Sequence, residues 1–143
     1  MTKEEIQQLY KQHIIPESKA PYRFFVPENY TSEILAYNPL CGDKYHLYQT
    51  EEESNPILQF HGIGCALSQA SCSLLIRASE GLQKQELIQL IDSFLGSLSL
   101  ENEISNELPE SIKILAALKN FEGRVDCIRL PWQALFEELA QKE

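Results

Sequence analysis

Ser32-Glu33-Ile34-Leu35-Ala36-Tyr37, Asn38-Pro39-Leu40-Cys41-Gly42-Asp43 and Lys44-Tyr45-His46-Leu47-Tyr48-Gln49-Thr50 follow one another without a break, and their reading decides the fold. The first and third runs carry the aliphatic and aromatic residues of short strands. Asn-Pro and Cys-Gly-Asp between them supply turn chemistry. Residues 51–55 read as a polar turn, and Pro56 to His61 as a third strand. Three short strands joined by short links predict an antiparallel meander.

Outward from this core the period changes. After Gly62-Ile63-Gly64, the residues Ala66, Leu67, Ala70, Leu74, Leu75 and Ala78 fall on one helix face, ending near Gly81. Leu87, Ile88, Ile91 and Leu95 mark a second helix, and residues 96–110 read as a loop. Ile112, Leu115, Ala116 and Leu118 give a short helix. Trp132, Leu135, Phe136 and Leu139 mark the last one, with Pro131 in or near its first turn. At the other end, Thr2 and Glu5 form a capping box for an amphipathic helix over 3–13. Pro16 and Pro21 are expected to end it, and residues 15–30 to be irregular. Tyr37, Tyr45, Tyr48, Trp132 and Phe136 read as core. Strands followed by helices predict an α+β fold, a three-stranded antiparallel sheet with helices packed on one face. With 143 residues, 43% of them hydrophobic, a single domain spanning 1–143 is expected.

The net charge of −9 repels phosphate backbones, so no nucleic acid partner is expected. The first residues lack an apolar signal core, and no run of about 18 apolar residues occurs, so no membrane is expected either. A cytoplasmic setting is therefore expected. There, four cysteines speak for metal binding or reactive thiols rather than disulfides.

Three cysteines stand where ligand or reactive thiols tend to sit. Cys41 lies in a turn beside Gly42 and two residues before Asp43, so thiolate and carboxylate can share one space. Cys65 follows Gly64 at a helix start, where amides and the helix dipole favour thiolate. Cys127 stands just before the last helix, three residues after Arg124, whose guanidinium also favours thiolate. Cys41, Asp43, Cys65 and Cys127 make a feasible tetrahedral set for zinc or iron. No C-x-x-C pair occurs, and from spacing alone each cysteine is equally a small buried hydrophobe. Cys72, two helical turns after Cys65, reads as packing. His61, beside the glycine loop, is the nearest histidine to the set.

Asn38-Pro39-Leu40-Cys41-Gly42-Asp43 matches the NPxCGD motif of the U-type iron–sulfur scaffold family (IscU, SufU and NifU N-terminal domains). The run from Phe60 to Ser73, with Gly62-Ile63-Gly64-Cys65 in it, resembles the family's second-cysteine segment. Arg124-Val125-Asp126-Cys127-Ile128-Arg129-Leu130-Pro131-Trp132 resembles the third. The G-x-G-C form, the insertion around 96–110, Asp126 in place of a histidine, Arg124 and Trp132 are similar to the SufU-like branch. Lys19-Ala20-Pro21-Tyr22-Arg23 departs from the family's usual stretch after the first helix.

This resemblance implies a SufE/IscU-like fold and a role in iron–sulfur cluster assembly. It implies a cysteine desulfurase of the SufS type as sulfur donor and apo iron–sulfur proteins as recipients. Cys41 is the expected sulfur acceptor. Cys41, Asp43, Cys65 and Cys127 are the expected ligands of a zinc ion or an iron–sulfur cluster, supported by Gly42, Gly64 and Arg124. Three readings stay open: a scaffold, a zinc-dependent sulfurtransferase that holds no cluster, and a protein whose zinc is only structural.

Overall fold

The computed structural model of the chain describes residues 1–52, 55–121 and 123–141. At its centre β1 (Ser32–Tyr37), β2 (Lys44–Glu52) and β3 (Asn55–Ile63) form an antiparallel meander in the order β1-β2-β3. The strands run further than the polar 51–55 segment suggests, and residues 53–54 of that expected turn lie outside the described residues. The register aligns Ile34, Leu47 and Phe60 across the sheet, and one position pair further Ala36 with Tyr45. All of these are buried. They make one apolar face, as the two-residue side-chain period requires.

Helices cover that face. α3 (Ala66–Ser79) packs on β3, and α6 (Val125–Gln141) packs on β1 and β2. α4 (Lys84–Ser97) and α5 (Glu110–Ala117) pack in turn on α6 and α3. One core cluster runs through these elements, and Trp132 at its centre stacks on Phe94 with ring centroids 4.0 Å apart. Burial of each such large side chain stabilises the fold by roughly 1.5–3 kcal/mol. Trp132 Nε1 donates to Ser71 Oγ at 2.9 Å, and that hydroxyl donates to the Ile128 carbonyl at 2.6 Å. Tyr45 and Trp132 are core residues as expected; Tyr48 is buried on the sheet face opposite the helices, against Tyr30, and Tyr37 on that same face is 50% exposed.

Two prolines behave differently from their sequence reading. The first helix does not stop before Pro16. α1 (Lys3–Leu9), opened by the expected Thr2–Glu5 capping box, passes into a π-helical segment over Tyr10–Ile14 and on into α2 (Ile15–Lys19). The Ile15 N–H donates to the Tyr10 carbonyl, an i→i−5 bond. Such a widened turn accommodates a ring that a regular turn would press against the carbonyl four residues back. Pro131 lies inside α6 rather than at its start. It has no N–H to give to the carbonyl of Cys127, which stands four residues before it.

Lys119 anchors the 98–109 connection. It is buried, and Nζ donates to the carbonyls of Ser97, Ser99 and Asn102 at 2.8–2.9 Å.

Candidate metal centre

The β1–β2 connection builds the first half of the site. Asn38 closes it from both ends: its N–H donates to the Asp43 carbonyl at 2.9 Å, and its carbonyl accepts the Gly42 N–H at 2.8 Å. The Asn38 side-chain oxygen accepts the Leu40 N–H at 3.0 Å. Such a closed five-residue turn needs a left-handed residue near its end. Gly42 provides it with φ +81°. Cys41 is thereby carried outward and exposed, whereas Asp43 points inward and is 3% exposed.

The β3–α3 junction builds the second half. Cys65 is the N-cap of α3, and its sulfur accepts the Ser68 N–H at 3.4 Å. Its own N–H donates to Asp43 Oδ1 at 3.0 Å, and its Sγ stands 3.8 Å from Asp43 Oδ2. Gly64 permits this approach. A methyl group there would fall 2.4 Å from Tyr45 Oη, 2.7 Å from Asp43 Oδ1 and 2.7 Å from Ser68 Oγ. Behind it, Tyr45 Oη and Ser68 Oγ share a buried hydrogen bond of 2.9 Å. Burial pushes the Tyr45 phenol well above its ordinary range, so it stays neutral beside the carboxylate.

The third element is the first turn of α6. Cys127 lies within that turn, not before the helix as the sequence suggested, and its N–H donates to the Arg124 carbonyl at 3.0 Å. The Arg124 guanidinium lines the same cleft as the Cys127 and Cys65 sulfurs and feels the charge of both. Burial acts to lower its pKa, but the two sulfurs outweigh that and hold it firmly charged. The expectation that Arg124 would keep Cys127 ionised is corrected. Burial, and then the charge and hydrogen bond of Cys65, push the Cys127 thiol up to about 12 against the pull of Arg124.

Ligand atoms of Cys41, Asp43 and Cys127 all lie within 4.8 Å of one another. Cys65 adjoins this trio through Asp43, and all four residues line a cleft of about 640 Å³ together with Gly42, Gly64 and Arg124. Three sulfurs and one carboxylate suit a tetrahedral zinc or iron centre. The clustering of Cys41, Asp43 and Cys127 suits such an ion, with Cys65 beside them.

The remaining candidates lie elsewhere. Cys72 is fully buried in α3, where desolvation raises its thiol well above the usual range, and it does not line the cleft. His61 stacks on Phe24 at 4.6 Å, on the sheet face opposite the helices. The sequence reading missed Asn38 as the loop's clasp and the Tyr45–Ser68 pair as its backing. The Ser three residues after an N-cap cysteine was a usable signal for Ser68. Nothing in the sequence flagged Tyr45 beyond its place two residues after Asp43.

A three-stranded meander with helices on one face, holding three cysteines and an aspartate at one end, defines the class. The chain belongs to the NifU-like N terminal domain family, whose pattern matches residues 9–128. It is 30% identical over 141 residues to the iron–sulfur cluster assembly scaffold protein IscU of Streptococcus pyogenes serotype M1, covering 97% of this chain and 87% of that one. It is likewise 30% identical over 139 residues to the zinc-dependent sulfurtransferase SufU of Bacillus subtilis, covering 94% and 92%. Among solved structures, a SUF-system scaffold protein described as putative, from Fervidobacterium islandicum AW-1, superposes with a TM-score of 0.81 at 29% identity, over 90% of this chain and 95% of that one. A NifU-like N-terminal protein from Brucella abortus shares the fold at a TM-score of 0.79 and 20% identity, over 96% and 98%.

Proposed function

We propose that this chain is an iron–sulfur cluster assembly protein that takes sulfur from a cysteine desulfurase of the SufS type. In this reading it gathers iron and sulfide at Cys41, Asp43, Cys65 and Cys127, and the cluster passes to apo iron–sulfur proteins. Residues 1–143 act as one scaffold domain. The reading includes a cytoplasmic setting; no helix among the described residues is long and apolar enough to cross a membrane.

The observation that carries the reading is the asymmetry of the site. Cys41 is exposed on a turn, while Asp43 and Cys127 are buried behind it and within 4.8 Å. An exposed sulfur can meet a partner's persulfide while the buried donors stay in place. The Cys41 thiolate attacks the terminal sulfur of the donor's Cys–S–SH. A new S–S bond forms on Cys41, the donor's S–S bond breaks, and the donor cysteine leaves as thiolate with the electron pair. Asp43, tied to the Cys65 N–H, stays oriented through the exchange. Arg124 offers its guanidinium to charge developing on Cys65 and Cys127.

A second reading, a zinc-dependent sulfurtransferase that holds no cluster, is favoured by the same exposed Cys41 and by similarity to the Bacillus subtilis SufU. Zinc would be held by Asp43, Cys65, Cys127 and Cys41, and would keep their sulfurs deprotonated. Anaerobic purification with metal, sulfide and absorption analysis separates the two. Stoichiometric iron and sulfide with visible absorption supports the scaffold. Tight zinc, with desulfurase stimulation lost in Cys41→Ala, supports the relay. Full stimulation retained by Cys41→Ala removes sulfur acceptance at this residue from both.

A further inference from the structure

β1 is an edge strand, and its free side leads into the cysteine cleft. The Asn38 N–H bonds to Asp43, which continues the β1–β2 register by one pair. Antiparallel ladders alternate, so Ala36, Ile34 and Ser32 bond to β2, while the N–H and C=O of Glu33, Leu35 and Tyr37 point away from it. All three residues are exposed, Leu35 at 52% and Tyr37 at 50%. The strand has no proline or lysine of the kind that usually blunts an edge. Alongside it runs a groove of about 310 Å³ between β1 and α6, bordered by Asp126, Arg129, Gln133 and Glu137. Asn38 and Asp126 belong to both this groove and the cysteine cleft, so the two are continuous.

The charges along the groove choose the occupant. Arg129 is tied to Asp126 at 2.7 Å, and the exposed Glu137 carries no cationic partner among the described residues. Glu33 adds a further negative charge at the far end of β1, on a chain of net charge −9. A second copy would set these acids against each other. We propose that the β1 edge takes up an extended, basic segment of the sulfur-donating protein as a fourth strand. Its main chain pairs with Glu33, Leu35 and Tyr37. Its apolar side chains lie beside Leu35 and Tyr37, and its lysine or arginine side chains face Glu137. The run of the groove toward Asn38 brings one end of that segment to Cys41. The identity of the donor rests on the sulfur-acceptor reading above; the strand pairing does not.

The test uses the full chain and the purified SufS-type cysteine desulfurase of the same organism, with affinity measured by calorimetry. Leu35→Pro removes an edge N–H that the β1–β2 ladder does not use, a change edge strands tolerate. It is expected to weaken binding by about tenfold or more, with metal content and Cys41 alkylation rate unchanged. Glu137→Lys, on the exposed side of α6, is expected to weaken binding at low salt and to have little effect at high salt. Wild-type affinity in a folded Leu35→Pro protein overturns the proposal. So does loss of self-association in that variant with desulfurase binding intact, which would assign the edge to a second copy. Should Leu35→Pro lose its fold, unchanged low-salt binding of Glu137→Lys overturns the proposal in its place. If the desulfurase binds through β1 but leaves no persulfide on Cys41, the docking stands and the sulfur-acceptor reading fails.

Discussion

Asp43 grips Cys65 twice: one carboxylate oxygen takes the cysteine's N–H at 3.0 Å, and the other stands 3.8 Å from its sulfur. The β1–β2 turn and the start of α3 are thereby locked together at the point where the donors meet. A buried carboxylate with a main-chain donor is fixed in direction. Asp43→Asn keeps a side-chain oxygen for the Cys65 N–H but removes the charge. It is expected to fold like the wild type and to bind zinc at least about tenfold more weakly, as competition with a chelator would measure. Asp43→Ala leaves the Cys65 N–H without its partner, and unfolding should show an added loss of about 1–3 kcal/mol.

Gly64→Ala is expected to abolish tight metal binding. The added methyl meets Tyr45 Oη, Asp43 Oδ1 and Ser68 Oγ all under 3 Å. None is a flexible chain end, since each is fixed by burial or hydrogen bonding. Overpacking of this kind costs about 1–3 kcal/mol. Denaturant unfolding of the metal-free protein checks the cost, and metal analysis of the purified variant checks the site.

Cys127 makes metal uptake a proton-releasing step. Its thiol, pushed up to about 12 mainly by burial, is protonated in the metal-free protein at neutral pH. Zinc needs the thiolate, so apparent affinity should rise with pH, by about tenfold per unit for this proton. Weakly buffered titration should register about one proton fewer for Cys127→Ala. The same shift acts on stability. The folded thiol holds its proton more tightly than an unfolded thiol, whose pKa is about 8.5. Stability from this group is therefore full below about pH 8.5 and is lost as pH rises toward 12. Thermal melts of the metal-free wild type should fall over that window, and those of Cys127→Ala should fall less.

Lys119 holds the 98–109 connection as a bound cation would. Its ammonium satisfies three carbonyls within 2.9 Å. Lys119→Met keeps the apolar stem but strands those oxygens. With charged hydrogen bonds worth about 1.5–3 kcal/mol each and partial rescue by water, a loss of about 2–4 kcal/mol is expected. Denaturant unfolding measures it, and zinc affinity should be unchanged because no Lys119 contact reaches the cleft.

Much of this was legible in sequence because the signals are local. The strands follow from alternation around Asn38-Pro39 and Cys41-Gly42-Asp43, and the start of α3 from the break at Gly62 and Gly64. Cys65 at that start is a cap position that any helix beginning there would create. What escaped the sequence depends on tertiary packing. Pro16 reads as a stop, yet a widened turn carries the helix through it. Pro131 reads as a helix start, yet α6 begins six residues earlier because Ile128 and Trp132 are fixed by Ser71 on α3. Arg124 beside Cys127 reads as a thiolate signal, but burial of the sulfur prevails, and burial is not written in the neighbouring residues.

The proline in α6 has a mechanical corollary. With no amide at Pro131 to hold the Cys127 carbonyl, the first turns of α6 have one hydrogen bond fewer to the rest of their own helix. The neighbouring carbonyl, that of Ile128, is held instead from outside the helix by the Ser71 hydroxyl, so the position of the sulfur-bearing turn is set by α3 as much as by its own helix.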